Sequence, residues 1–180
     1  MIDWRRTVRS LVLIAVACGV TGLLAHRQLS TALVARGDAL AYSGSARALD
    51  MYRRALILDP ANTVAVDRLA FRALLSHDPA QMHEAVRMTS TILRSRADAW
   101  EVRMDRALCL QLLGRYAAAL SDFEATGLSR RDPRALLFAA DDARKLHRTV
   151  QAHRLLLAAL VADPHFGPAR LALVREKRTR

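Results

Sequence analysis

A short pattern recurs four times along the 180 residues of the chain. In each copy a small residue is followed, four positions later, by a larger one. The copies are Ala48 and Tyr52, Ala85 and Thr89, Ala119 and Phe123, and Ala152 and Leu156. Successive copies are 37, 34 and 33 residues apart. Because residues four apart share one face of a helix, the pattern predicts stacked helix pairs that bury their apolar faces against their neighbours.

Composition agrees with a helical chain and excludes several other classes of protein. The chain has only 7 Gly, 5 Pro and 5% aromatic residues, which argues against a β-sandwich or a barrel. Its 52% apolar and 25% charged residues exclude a wholly disordered chain. The 2 cysteines are too few for a disulfide scaffold or a cysteine-rich zinc site.

Acidic residues next to prolines predict where helices end and begin. A residue that precedes proline is disfavoured in a helix, so residues 59–60 and 163–164 (both Asp-Pro) are expected to close helices. An Asp N-cap with Pro in the first turn suits a helix start, so residues 78–79 and 132–133 are expected to open them. Residues 98–101 (Asp-Ala-Trp-Glu) are predicted to form a capping box.

Residues 113–120 (Leu-Gly-Arg-Tyr-Ala-Ala-Ala-Leu) are the most regular part of the repeat. This segment resembles the turn between the two helices of the tetratricopeptide repeat, and the resemblance covers about residues 29–164. It implies an all-α, tetratricopeptide-like right-handed solenoid of about four helix pairs plus a capping helix. The predicted domains are a cytoplasmic tail with a membrane anchor at 1–27, the repeats at 28–165, and a basic capping helix and tail at 166–180.

Residues 10–25 form an apolar segment without a charged side chain. As a helix it is roughly 24 Å long, and snorkelling Arg9 and Arg27 extend it toward the ~30 Å of a hydrocarbon core. We therefore predict one transmembrane helix that precedes the repeats. Arg5, Arg6 and Arg9 outweigh Arg27, so the positive-inside rule places the N-terminus in the cytoplasm.

The predicted location is the bacterial inner membrane, as a single-pass protein with its C-terminal domain in the periplasm. Three fates of the apolar segment stay open: cleavage by a signal peptidase, lipidation at Cys18, or retention as a signal anchor. Retention fits the full length of the segment best, because the apolar stretch continues seven residues past Cys18.

The formal net charge of +11 sits mostly at the two ends of the chain. Of the 28 cations 26 are Arg, a bias expected of a GC-rich genome, so the count alone does not indicate a nucleic-acid partner. The C-terminal tail is the densest part, and we interpret it as a solvated cap, with a docking patch for an acidic partner as the alternative. Its cations are Arg170, Arg175, Lys177, Arg178 and Arg180.

No catalytic, metal or cofactor site is predicted. The close histidine pairs, 77/83 and 147/153, are six residues apart, which places the two rings on opposed faces of a helix. Cys109 lies in an apolar helical stretch and is interpreted as a buried, inert thiol. Asp141 and Asp142 are adjacent rather than one turn apart, so they are interpreted as a solvated pair. No enzyme and no small-molecule substrate are expected.

The resemblance also implies a binding surface. In this family the first helix of each pair lines a concave groove that receives a peptide or a partner's helix. Of the predicted groove residues, those at the family's ligand-facing positions are Leu74, Met104, Leu108 and Asp141. Those that would form the polar edge of the groove are Arg68, Arg72, Arg103, Gln111 and Arg144. The Lys and Asn clamp of the chaperone-binding members is absent from these positions.

These features together predict a membrane-anchored protein–protein interaction module. The first hypothesis is a periplasmic scaffold or an assembly or maturation factor for an envelope complex. The second is an import receptor on a eukaryotic organelle, with its repeats facing the cytosol. The third is an accessory or regulatory subunit of a membrane-bound enzyme complex. The expected partners are another protein and, through the N-terminal helix, the membrane.

Overall fold

A computed structural model describes the backbone of residues 4–178 and the side chains of residue 16 and residues 19–176. This described part of the chain contains nine helices and no strand. The helices are α1 (Trp4–Tyr42), α2 (Arg47–Leu58), α3 (Thr63–Ser76), α4 (Pro79–Ser95), α5 (Trp100–Leu112), α6 (Tyr116–Arg130), α7 (Pro133–Lys145), α8 (Thr149–Ala162) and α9 (Gly167–Arg178). The all-α prediction is confirmed.

The chain divides into two compact units, and the first is Met1–Ala65. In this unit α2 packs against α1, and the ring of Tyr52 lies directly over Gly37. A β-carbon at Gly37 would come within 2.5 Å of Tyr52 Cε1, so only glycine leaves room for the ring. The Tyr52 hydroxyl donates a hydrogen bond to Asp38 Oδ1 at 2.9 Å, which joins the two helices beside the same contact.

The second unit is Val66–Arg180, and in it each helix from α4 to α9 packs against the next. Its core is built from the facing apolar stripes of α5 to α9. Its large buried side chains include Phe123, Leu136 and Leu156, with alanines between them where the helices approach closely. The alanines allow the close approach because they add no side-chain volume at the contact.

The alanines that lead the four repeat copies are fully buried, as predicted. Ala48, Ala85, Ala119 and Ala152 are all without exposed surface. Their larger partners are equally buried, including Thr89, whose hydroxyl donates to the Ala85 carbonyl at 2.7 Å. The repeat in the sequence therefore marks the same contact in each helix pair.

The predicted helix boundaries next to proline are also confirmed. Asp78 and Asp132 are N-caps, and each carboxylate accepts a hydrogen bond of 2.9 Å from the backbone N–H two residues later. Asp59 and Asp163 are C-caps with extended backbone. Helix α9 begins at Gly167.

The capping box predicted at residues 98–101 is wrong. Helix α5 begins at Trp100, and its N-cap is Ala99, which makes no side-chain capping bond. Ala99 is buried while Asp98 is exposed outside the helix. A capping box with Asp98 as its N-cap requires the helix to begin at Ala99. The helix begins one residue later, and the buried Ala99 is its N-cap.

A residue with positive φ follows the first helix of every pair. The four residues are Gly44 (73°), His77 (53°), Gly114 (71°) and His147 (59°). After α1, α5 and α7 the next N–H donates back to a carbonyl five residues earlier, at 2.8–2.9 Å, as in a Schellman motif. Only glycine adopts this left-handed backbone without strain, so the two histidines are held in an unfavourable conformation.

Replacing His147 by glycine should stabilise the protein. The change His147→Gly removes the left-handed strain at an exposed position, and we expect the free energy of unfolding to rise by about 0.5–1 kcal/mol. Urea unfolding followed by circular dichroism measures this change. The reciprocal variant Gly114→His, at the equivalent turn, should lower the unfolding free energy, and a gain in stability there would contradict the interpretation.

Enlarging a lead alanine should have the opposite effect. Ala119 has no exposed surface in the core of the second unit, so Ala119→Leu should cost about 1–3 kcal/mol through overpacking. Ala117 is exposed on the same helix, and Ala117→Leu serves as the matched control with little expected change. Equal melting midpoints for the two variants would show that Ala119 has spare volume.

Helix α1 runs without a break from Trp4 to Tyr42, so the predicted domain boundary at residue 27 lies inside it. Half of the predicted span at residues 10–25 lies outside the described side chains. Among the residues that are described, no helix has the length and apolar content needed to cross a membrane. The anchor and the three domains stay predictions.

Several other predicted features lie wholly or partly outside the described side chains. In the N-terminal segment these are Arg5, Arg6, Arg9 and Cys18, and in the C-terminal tail they are Lys177, Arg178 and Arg180. In the described part of the tail, α9 packs against α8 through Ala169 and Ala172, as a capping helix should.

Candidate partner-binding site

All nine predicted groove residues lie on α3, α5 and α7 within the second unit, and every one is half-buried. The structure brings three of them together and leaves six elsewhere on these helices. Gln111, Asp141 and Arg144 line one groove of about 590 Å³ between α5 and α7. We call it the α5–α7 groove. Its full lining is Gln111, Leu112, Tyr116, Phe138, Asp141, Asp142, Arg144 and Lys145.

Sequence reasoning missed the apolar part of this groove. Leu112 is 52% exposed at the end of α5, and Phe138 packs its ring against Phe123 with the centroids 5.3 Å apart. Helical spacing could have identified both residues. Leu112 lies four residues after the predicted Leu108, and Phe138 lies three residues before the predicted Asp141, so each shares a face with a predicted residue.

The two neighbouring aspartates of α7 have different environments, and the prediction of a solvated pair is wrong for one of them. Asp141 is half-exposed and forms an ion pair with Arg144 one turn later. Asp142 has no exposed surface. Adjacent helical residues point about 100° apart, so the packing of α7 turns one carboxylate inward while the other stays at the rim.

The buried carboxylate of Asp142 is only half satisfied. Gln111 Nε2 donates to its Oδ1 at 2.8 Å, while Oδ2 is buried without a hydrogen-bond partner. Burial raises the pKa of Asp142 to about 6, the bond from Gln111 opposes that rise, and the charge of Asp141 adds to it. The groove therefore contains a carboxylate oxygen that could still accept a bond.

A second acid with a buried oxygen, Asp105, lies on α5, the helix that carries Gln111. Burial, followed by the charges of Asp67 and Glu101, raises the pKa of Asp105 to about 7. Its Oδ2 is buried and accepts no hydrogen bond. A hydrogen bond between the side chains of Asp105 and Asp67 adds to the rise, and Asp67 is itself paired with Arg68 at 2.7 Å.

The remaining predicted residues lie outside the α5–α7 groove. Arg103 donates to the carbonyl of Ala97 in the loop before α5. Met104 and Leu108 are packed against the buried core, so they are in part ordinary core residues. Arg68, Arg72 and Leu74 are half-buried positions of α3. Whether any of the nine contacts a partner stays a prediction.

The strongest ion pair of the described residues has a structural role. Arg106 on α5 donates two bonds of 2.7 Å to the carboxylate of Asp122 on α6, and a third of 3.2 Å to Ser90 on α4. Both charged side chains are largely buried. The pair therefore joins three successive helices.

Two features of the described residues bear on catalysis, namely possible metal ligands and the thiol of Cys109. No cluster of three or more His, Cys, Asp or Glu side chains there could hold a metal ion. Cys109 is fully buried, as predicted, and its burial raises the pKa of the thiol to about 12. A thiol with that pKa is protonated at neutral pH and is a poor nucleophile.

Solved structures resemble this chain, although no protein-family model and no curated protein sequence matches it. A tetratricopeptide repeat protein from Parabacteroides merdae ATCC 43184 superposes with a TM-score of 0.68 at 18% identity, over 80% of this chain and 57% of that one. MamA from Desulfovibrio magneticus RS-1 superposes with a TM-score of 0.64 at 14% identity, over 75% and 76% of the two chains. The chain has the tetratricopeptide-repeat fold.

A second MamA structure, from AMB-1, has a TM-score of 0.62 at 21% identity and covers 79% of this chain and 76% of its own. At such identities the likeness concerns the fold. It confirms the tetratricopeptide assignment made from residues 113–120, whose glycine ends α5 and whose tyrosine begins α6. The glycine turn at Gly114 lies between α5 and α6, which makes α5 the first helix of its pair.

The buried aspartates predict an unusual pH dependence of the stability of this tetratricopeptide fold. The folded pKa of Asp142 is about 6, against 3.8 ordinarily, so the unfolded chain releases its proton first as the pH rises. Stability from this group is therefore full below about pH 4 and is lost as the pH rises to about 6. Asp105 acts in the same direction up to about pH 7.

The variant Asp142→Asn should remove the loss of stability with rising pH, because it cannot ionise. It keeps an oxygen that can accept the hydrogen bond from Gln111. At pH 7 we expect it to be more stable than the parent by about 1–3 kcal/mol, and at pH 4 the difference should shrink toward zero. Urea unfolding at both pH values measures the difference. Asp98→Asn, at an exposed loop position, is the control. An Asp142→Asn difference that is independent of pH would contradict the burial of a titrating carboxylate.

Proposed function

We propose that this chain is a membrane-anchored protein–protein interaction module whose α5–α7 groove receives a segment of another protein. One observation carries the proposal: the groove combines accessible apolar surface with charged side chains at its rim. Recognition of a peptide or a partner's helix needs that combination, because apolar contact supplies binding energy and polar groups select orientation.

Exposed apolar side chains support the binding role. Leu112 contributes to the α5–α7 groove, and α3 leaves Phe71 and Leu75 54% and 58% exposed. Contiguous exposed apolar surface marks binding sites whereas single exposed side chains do not, so Leu112, within the lining of the groove, is the side chain that supports the binding role.

We further propose that α1 anchors the module in the bacterial inner membrane, with the repeats in the periplasm, as a scaffold or as an assembly or maturation factor for an envelope complex. Support comes from the uncharged segment at residues 10–25 and from the excess of arginine before it. The large apolar side chains that are described in this segment, namely Val16, Val20, Leu23 and Leu24, are all about half exposed. Anchoring would raise the concentration of the module at the membrane and make a weak contact effective.

Two other roles use the same groove. An organelle import receptor would carry the repeats in the cytosol, and the high arginine and alanine content is the feature that disfavours it. An accessory or regulatory subunit of a membrane-bound enzyme complex would need the module but not the anchor for its activity. Complementation of a deletion strain by residues 29–180 alone would favour the accessory role.

Topology reporters test the anchored arrangement. Alkaline phosphatase fused after residue 180 should be active in bacteria, because it folds only outside the cytoplasm, and green fluorescent protein at the same place should be dark. The opposite pair of results would reject the periplasmic location. It would leave the binding proposal untouched.

Site-specific cross-linking tests the groove. A photoreactive residue at Leu112 should form a discrete adduct with another protein in cells. The same residue at Val161, which is also exposed but lies on α8, is the control and should not form that adduct. Identical adducts from both positions, or none from position 112, would argue against the α5–α7 groove as the binding surface.

A further inference from the structure

The α5–α7 groove has one feature that its apolar lining does not explain. Asp142 is fully buried beside it, and one carboxylate oxygen is without a hydrogen-bond partner. A buried carboxylate is costly unless it is paired, whereas an exposed cation at the rim, such as Lys145, is already well solvated. The group that gains most from a bound partner is therefore the aspartate.

We infer that the α5–α7 groove binds a segment carrying a lysine or arginine, whose cationic head reaches Asp142 while its aliphatic stem lies against Leu112, Tyr116 and Phe138. This inference rests on the proposed function, because it names the chemistry of the partner in the same groove. An arginine fits best, since its planar head carries several donors, any of which can bond to the unpartnered oxygen of Asp142.

The lining also carries two cations, Arg144 and Lys145, and Lys145 is exposed to solvent at the rim. The Arg144 guanidinium is already engaged by Asp141, so it is not free to attract a carboxylate. Burial leaves the pKa of Asp142 near 6, so the carboxylate is ionised at neutral pH. The rings of Tyr116 and Phe138 provide aromatic surface, which attracts a cation in the same place.

The net charge of the chain opposes the binding of a basic peptide, so a preference for a basic over an acidic peptide is easy to detect. At +11 the whole chain repels cations and attracts anions, so non-specific binding would favour an acidic peptide. A preference for a basic peptide must therefore come from a local acidic site.

The test uses the full chain in detergent micelles and three labelled peptides that differ in one residue. Each is a blocked nine-residue peptide of alanines with leucine at the second and eighth positions, and its central residue is arginine, neutral citrulline or glutamate. Fluorescence anisotropy gives the dissociation constants. We expect the arginine peptide to bind about tenfold more tightly than the citrulline peptide, and the glutamate peptide to bind most weakly.

The variant Asp142→Asn should abolish the advantage of the arginine peptide and leave citrulline binding within about twofold, which also shows that the groove is intact. Asp98→Asn, outside the groove, should keep the advantage. The inference is overturned if the preference for the arginine peptide survives Asp142→Asn, or if the glutamate peptide binds more tightly than the arginine peptide. It is also overturned if the three peptides bind equally, or if the arginine peptide does not bind at about 1 mM. Cross-linking from position 112 decides the proposed function separately, because it does not depend on the charge of the partner.

Discussion

The structure depends on close contacts between helices at small residues. Each second helix carries an alanine without exposed surface and, four residues later, a larger buried side chain, as at Ala119 and Phe123. A methyl group at the first position lets the backbones approach, and the large side chain fills the space one turn away. Since a helix pair cannot bury its apolar face alone, this contact must recur for the fold to be stable.

The conformation of the turns between paired helices depends both on local backbone preferences and on helix packing. A left-handed residue ends each first helix, and glycine supplies it at Gly44 and Gly114 without strain. His77 and His147 adopt the same backbone at some cost. The packing of the following helix must therefore hold the turn in this conformation, because a histidine in an isolated peptide would rarely adopt a positive φ.

The buried acids suggest that stability was not the only property selected. Asp105 and Asp142 each bury a carboxylate oxygen without a partner, and burial raises the pKa of both groups. Apolar residues of similar size would cost less at these positions. A cationic partner in the α5–α7 groove would give Asp142 the bond it lacks, which is a physical reason to keep the acid.

The sequence alone determined the features that depend on neighbours along the chain. The repeat of small and large residues, the N-caps at Asp78 and Asp132, and the glycine turn at Gly114 need only helical periodicity and backbone sterics. Features set by the next helix were decided by tertiary packing. Ala99 is buried and takes the N-cap position that was expected for Asp98. The packing of α7 turned Asp142 inward, because helical periodicity separates the directions of two neighbours but does not say which of them faces the core.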